Sequence, residues 1–125
     1  MQLGDIKEKV LIVDFGSQVT KLIARRVRDL GVYSEIITPE KVKKYQDFNT
    51  VKGIILSGGP STVTKMKFQK IPKYIFNKKI PILGICYGLQ LIAKLYGGKI
   101  KASRKRREFG RAIIYKKKRS LLTKN

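Results

Sequence analysis

Short apolar runs alternate with amphipathic segments along this chain, and that alternation limits the possible folds more than any other feature. The runs have the length and the Val, Ile and Leu content of buried parallel strands, and they lie at residues 9–14, 32–37, 53–57 and 80–86. Helical spacing of apolar residues is found at residues 19–30 and 87–96. This order predicts an α/β fold with an open, mostly parallel sheet and helices on both faces.

Glycine, proline and serine mark the ends of these elements. Ser17 is a candidate N-cap for the first helix, and Gly31 fits its C-terminal end. Pro72 can open a short helix that runs to residue 77. Two weaker β candidates follow at residues 99–103 and 112–116.

Composition indicates one folded domain with a strongly basic surface. The 125 residues are 42% hydrophobic, and the formal net charge is +21. Basic clusters lie at residues 104–107 and 116–119, and aromatic residues do not interleave with them as a surface that stacks bases requires. The pattern therefore argues against nucleic acid as the partner. A missing acidic partner region or a general enrichment in lysine explains the charge, and polyanion binding stays an alternative.

The sequence favours a cytoplasmic protein. Its first residues are mixed polar and do not resemble a signal peptide. Apolar runs stay well below the ~18 residues of a membrane span, so we expect no membrane contact. The single cysteine cannot form an internal disulfide, which is typical of a reducing compartment.

That cysteine lies where the fourth apolar run meets the last helical segment, in Gly-Ile-Cys-Tyr-Gly-Leu-Gln at residues 84–90. A sharp turn from strand to helix exposes its central side chain and brings the first amides of the helix close to it. The positive end of the helix dipole favours a thiolate there. We interpret Cys86 as a candidate nucleophile; the alternative is a small buried apolar side chain.

Three turns should meet at one edge of the sheet, because parallel strands end on the same side. They follow the first, third and fourth strands, at residues 14–17, 57–60 and 86–87. In the second turn, a backbone N–H near Gly59 could join that of Tyr87 as an oxyanion hole, with Gly58 lining the substrate site. The alternative is an ordinary tight turn.

Two further features are weaker candidates. Gln90 lies about one helical turn after Cys86, where it could bind a polar substrate or face solvent. Residues 108–111 could close over the pocket or form a plain turn. A thiol nucleophile normally works with a base, usually histidine, yet the chain contains none, and no metal site is predicted.

Several segments together resemble one known family. They are Leu-Ile-Val-Asp-Phe-Gly-Ser-Gln at 11–18, residues 22–28, Ile-Leu-Ser-Gly-Gly-Pro-Ser at 55–61, the cysteine segment at 84–90, and Glu-Phe-Gly-Arg-Ala at 108–112. They resemble the N-terminal class I glutamine amidotransferase domain of the glutamine-hydrolysing GMP synthases. The resemblance covers residues 9–115 and leaves residues 116–125 as a basic tail of uncertain assignment.

The resemblance implies a flavodoxin-like fold and a mechanism. The thiolate of Cys86 would attack the side-chain amide of glutamine, and N–H groups near Gly59 and Tyr87 would hold the oxyanion. In the family the ammonia passes to a synthetase part that uses ATP and Mg²⁺ to convert XMP to GMP. No cofactor is expected within these 125 residues.

The resemblance also implies that part of the site lies outside this sequence. The family takes a histidine and a glutamate from a later His-Pro-Glu segment, and it dimerises through its C-terminal region. We therefore expect a partial amidotransferase domain over residues 1–125, inactive alone, with the missing synthetase part or a companion chain supplying both residues. The alternative is a non-catalytic remnant or split subunit that binds a partner.

Overall fold

A parallel sheet with strand order β2-β1-β3-β4 organises the protein. The computed structural model describes residues 7–59 and 71–100, together with positions 113, 115, 117, 118 and 120–123. The strands are β1 (Lys9–Val13), β2 (Tyr33–Ile37), β3 (Val51–Leu56) and β4 (Ile82–Gly84). The predicted parallel sheet is confirmed.

Helices connect the strands within the described residues. The α-helices are α1 (Thr20–Asp29), α2 (Pro39–Val42) and α3 (Tyr87–Leu95), and short 3₁₀ helices lie at Phe48–Thr50, Lys73–Asn77 and Leu121–Thr123. α1 leads from β1 to β2, whereas α2 leads back across β1 to β3. Right-handed crossovers in opposite directions place these two helices on opposite faces of the sheet. This is the flavodoxin-like arrangement that the sequence predicts.

The core follows the same two-sided pattern. Leu11 and Val13 of β1 and Leu91 of α3 belong to one cluster of buried apolar side chains. Ile12, between the two β1 residues, is fully buried outside that cluster, and so is Ala24 of α1. Successive strand side chains point to opposite faces, so β1 is buried on both, as central parallel strands are.

The predicted start of the first helix is wrong, whereas its predicted C-terminal end is confirmed. Ser17 is not the N-cap of α1, because the helix begins at Thr20 and its N-cap position is Val19. Ser17 instead accepts a hydrogen bond at Oγ from the N–H of Val19, two residues later, at 3.1 Å. Gly31 does follow the helix end, with φ of +81° and its N–H bonded to the carbonyl of Arg28 at 2.9 Å.

The later part of the chain is described only at some positions. β4 is shorter than predicted and pairs with the last three residues of β3. Lys99, Ile100, Ile113 and Tyr115 carry no regular structure, which does not support the two late strands at these positions. The rest of those strands and residues 108–111 lie outside the described residues. The short helix after Pro72 is present, as a 3₁₀ helix.

A charged cluster joins β1, β2 and the segment after α2. Lys9 Nζ lies 2.7 Å from Glu35 Oε2 and 3.5 Å from Asp47 Oδ2, and the hydroxyl of Tyr45 donates to Glu35 at 3.1 Å. Burial lowers the pKa of Lys9, but its bonds with Glu35 and Tyr45 outweigh that effect and hold the pKa above its ordinary value. Burial also raises the pKa of the Tyr45 phenol.

Candidate active site

Cys86 occupies a strained turn between β4 and α3. Its backbone has φ of 53° and ψ of −115°, a conformation that side-chain-bearing residues rarely adopt, and its side chain is exposed. The N–H of Ile85 donates to the carbonyl of Leu56 at 2.9 Å, and the N–H of Gln90 donates to the carbonyl of Cys86 at 3.1 Å. The sheet on one side and the helix on the other therefore hold the turn.

Glycines on either side of Cys86 let α3 start directly against the sheet. A β-carbon at Gly88 would overlap the carbonyl oxygen of Leu56 in β3. A β-carbon at Gly84 would come within 2.7 Å of both Ile92 Cδ1 and the backbone nitrogen of Leu89. Only glycine fits either position without displacing backbone, so the sequence pattern around the cysteine has a steric cause.

The turns after β1 and β3 meet at Cys86, as the strand order predicts. A β-carbon built at Gly58 would lie 3.2 Å from the β-carbon of Cys86 and 3.7 Å from that of Ser17. One built at Gly59 would lie 2.5 Å from the carbonyl oxygen of Phe15. The glycine pair therefore packs between the cysteine and the β1 turn; residues 60 and 61 of the motif lie outside the described residues.

Tyr87 anchors the start of α3. Its side chain is buried, and its ring centroid lies 4.9 Å from that of Phe15 at an interplanar angle of 49°. Gln90 is half-buried in the first turn of the same helix. The structure thus groups Cys86, Gly58, Gly59 and Tyr87 at one edge of the sheet, with Gln90 one helical turn further on.

A buried polar network beneath this group is missing from the sequence interpretation. Thr20 donates its hydroxyl proton to Asp14 Oδ1 at 3.1 Å, and its oxygen lies 2.9 Å from Ser57 Oγ. Thr20 and Ser57 are almost fully buried. Their signal was available, because a threonine opens an amphipathic helix and a serine directly follows a buried strand, but single hydroxyl residues at such places are common.

One cavity of about 400 Å³ lies away from this group. Its lining includes Lys52, Lys78 and Lys79, and it opens where β3 and β4 begin. Cys86 follows the end of β4, so the cavity is at the opposite edge of the sheet and does not belong to the candidate site. Among the described residues, no cluster of His, Cys, Asp or Glu could hold a metal, and no helix could span a membrane.

A model of one protein family, glutamine amidotransferase class I, matches residues 11–125. The chain belongs to that family. GMP synthase [glutamine-hydrolyzing] of Treponema denticola is 55% identical over 108 residues, which are 86% of this chain and 20% of the relative. The enzyme of that name from Staphylococcus carnosus is 46% identical over 121 residues, covering 94% of this amidotransferase chain and 23% of the relative.

A solved structure agrees with the fold of this amidotransferase. The crystal structure of a protein described as one subunit of a GMP synthase, from Thermoplasma acidophilum, superposes with a TM-score of 0.66 at 33% identity. The match covers 83% of this chain and 52% of that one. The amidotransferase chain therefore spans about a fifth of the length of the curated relatives above and about half of the solved chain.

Proposed function

We propose that this chain forms the nucleophile-bearing part of a glutaminase site that releases ammonia from glutamine for the synthesis of GMP. The observation that carries the proposal is the placement of Cys86. It is exposed in a strained conformation at the start of α3, with Gly58 packed against it. Family membership and relatives named GMP synthase support glutamine as the substrate.

In the proposed reaction, the thiolate sulfur of Cys86 attacks the side-chain amide carbon of glutamine. The carbonyl oxygen becomes an oxyanion, and the backbone N–H groups of Gly59 and Tyr87 donate hydrogen bonds to it. Each such donor is worth about 3 kcal/mol of transition-state stabilisation. The carbon–nitrogen bond then breaks, and the nitrogen takes a proton and leaves as ammonia. Water hydrolyses the remaining thioester to glutamate and returns the thiol.

The proton transfers need a base from outside these residues, since the sequence contains no histidine. We propose that a histidine and a glutamate come from polypeptide beyond the 125 residues, either in continuity with them or on a companion chain. The greater length of the relatives and the naming of the solved neighbour as one subunit of a synthase support this arrangement. In the same proposal, ATP and Mg²⁺ belong to the synthetase part that receives the ammonia, and the C-terminal region of the full-length enzyme forms the homodimer contact.

The experiment is a glutamate-release assay on the 125-residue chain alone and mixed with a histidine-bearing remainder taken from a relative. We expect negligible activity alone, because general acid–base help is worth about 10² to 10⁴ in rate. The mixture should hydrolyse glutamine, and Cys86→Ala should abolish that activity. Full activity of the chain alone would contradict the proposal that the base comes from outside these residues. Activity that survives Cys86→Ala would contradict the proposal that Cys86 is the nucleophile.

A further inference from the structure

In the buried network at the ends of β1 and β3, the donor and the acceptor of each hydrogen bond can be assigned. The hydroxyl of Thr20 has one proton, which it donates to Asp14 Oδ1 at 3.1 Å. At its 2.9 Å contact with Thr20, Ser57 must therefore be the donor. The same Asp14 oxygen also accepts the N–H of Gly16 at 2.8 Å. The chain of bonds runs from Ser57 through Thr20 to Asp14 and has one arrangement of protons.

This network joins three elements beside the cysteine. Asp14 follows β1, Thr20 opens α1, and Ser57 follows β3. Ser57 is also fixed through its backbone, since its N–H donates to the carbonyl of Val13 at 3.1 Å. The residue after Ser57 is Gly58, which packs against Cys86. A displacement of the Ser57 side chain would therefore also move the adjacent Gly58.

The geometry points to Thr20 as a positioning residue for the oxyanion donors. Thr20 is too deeply buried to touch substrate, and it acts through Ser57 on the turn that carries Gly58 and Gly59. Donors of this kind work only if they are held in place before the charge develops. Hydrogen bonds between buried hydroxyl groups are directional, so they fix the position of the turn more specifically than apolar packing alone would. This inference rests on the proposed function for the role of Gly59.

Two thiol reagents separate positioning from simple exposure of Cys86. Methyl iodide alkylates the sulfur by direct displacement of iodide, and it has no carbonyl oxygen for the oxyanion donors to bind. Chloroacetone forms a bond from the sulfur to its methylene carbon while the carbon–chlorine bond breaks and chloride leaves. Its ketone oxygen gains negative charge on the way and needs the same donors as the proposed substrate. The measured quantity is the ratio of the two rate constants, followed by mass spectrometry of Cys86.

We expect Thr20→Val to lower the ratio of chloroacetone to methyl iodide reactivity about tenfold, which is less than the ~10²-fold or larger effect of losing a donor altogether. Thr20→Ser keeps the hydroxyl and should stay within about twofold of the unchanged chain. The matched control is Thr50→Val, because the Thr50 hydroxyl bonds Asp47 at the other end of β3; it should leave the ratio unchanged.

An unchanged ratio in Thr20→Val would overturn the inference, and so would an equal loss in Thr20→Ser. If Thr20→Val loses its helical circular dichroism signal, Ser57→Ala decides in its place, with the same fall in the ratio expected. The chloromethyl ketone analogue of glutamine tests the proposed function separately. If Cys86 of the unchanged chain reacts with this analogue no faster than with chloroacetone, the proposal that glutamine is the substrate is contradicted. The ratio test of Thr20 does not depend on that result.

Discussion

Gly58 and Cys86 are so close that a β-carbon on Gly58 would come within 3.2 Å of the β-carbon of Cys86. Gly58 follows β3 and Cys86 follows β4, and the contact exists only because these two strands are neighbours in the sheet. A distance this short is tighter than ordinary van der Waals contact. Cys86 cannot easily yield, since sheet and helix bonds hold its strained backbone on both sides.

We expect Gly58→Ala to slow the reaction of Cys86 with the chloromethyl ketone analogue of glutamine by about tenfold, because small displacements at a nucleophile have effects of this size or larger. The matched control is Gly53→Ala in β3, whose β-carbon would meet Val10 Cγ2 at an ordinary 3.8 Å. Labelling rates followed by mass spectrometry test this. Equal rates in the two variants would show that the contact does not constrain the thiol.

Gly88→Ala should be strongly destabilising, by about 3 kcal/mol, because the new β-carbon would overlap the Leu56 carbonyl and push α3 off the sheet. Gly97→Ala separates steric overlap from backbone strain, since Gly97 has φ of +83° and open space around it. That control should cost about 1 kcal/mol. Urea unfolding measures both changes, and a smaller loss in Gly88→Ala than in Gly97→Ala would contradict the packing argument.

Cys86→Gly should raise the free energy of unfolding by about 1 kcal/mol, because glycine adopts the left-handed backbone of this turn without strain. Lys79→Gly is the matched control, since Lys79 has φ of 58° and lies away from the site. Both variants should be stabilised in urea unfolding. Stabilisation of the Lys79 variant alone would mean that the turn at Cys86 carries no stored strain.

The free energy of unfolding should fall as the pH rises above the ordinary pKa values of Tyr45 and Lys9, which are 10.0 and 10.5. Both pKa values are raised in the folded protein, so in that range the unfolded chain has lost protons that the folded chain keeps. The contribution of the cluster is therefore complete below this range and is lost on raising the pH. Urea unfolding at several alkaline pH values measures it.

Lys9→Met should flatten this pH dependence, because it removes the ammonium group that bonds Glu35 and Tyr45. The control is Lys52→Met, since the exposed Lys52 has a long 3.8 Å contact with Glu8. An equal slope in the Lys9 variant and the unchanged chain would exclude Lys9 as its cause.

Much of the fold could be predicted because its signals are local. Buried parallel strands need continuous β-branched runs, and the helix before Gly31 shows its apolar spacing and its terminal glycine in the sequence. The start of that helix could not be placed, since Ser17 is suited both to a cap and to the turn it actually forms. Both options use a local hydrogen bond from backbone to the serine hydroxyl, so the residue type alone does not decide between them.

The strand and helix alternation, the strand-to-helix turn at Cys86 and the family resemblance could all be established from the order of residues, because each depends on neighbours in the chain. The meeting of the three turns at one edge of the sheet was also predicted, but which of their residues touch was settled by tertiary packing. The contact of Gly58 with Cys86 and the bonds of Thr20 to Asp14 and Ser57 depend on strand order and register. These contacts join residues far apart in sequence. They form because both faces of β1 are buried between neighbouring elements, and because parallel strands end at the same edge of the sheet.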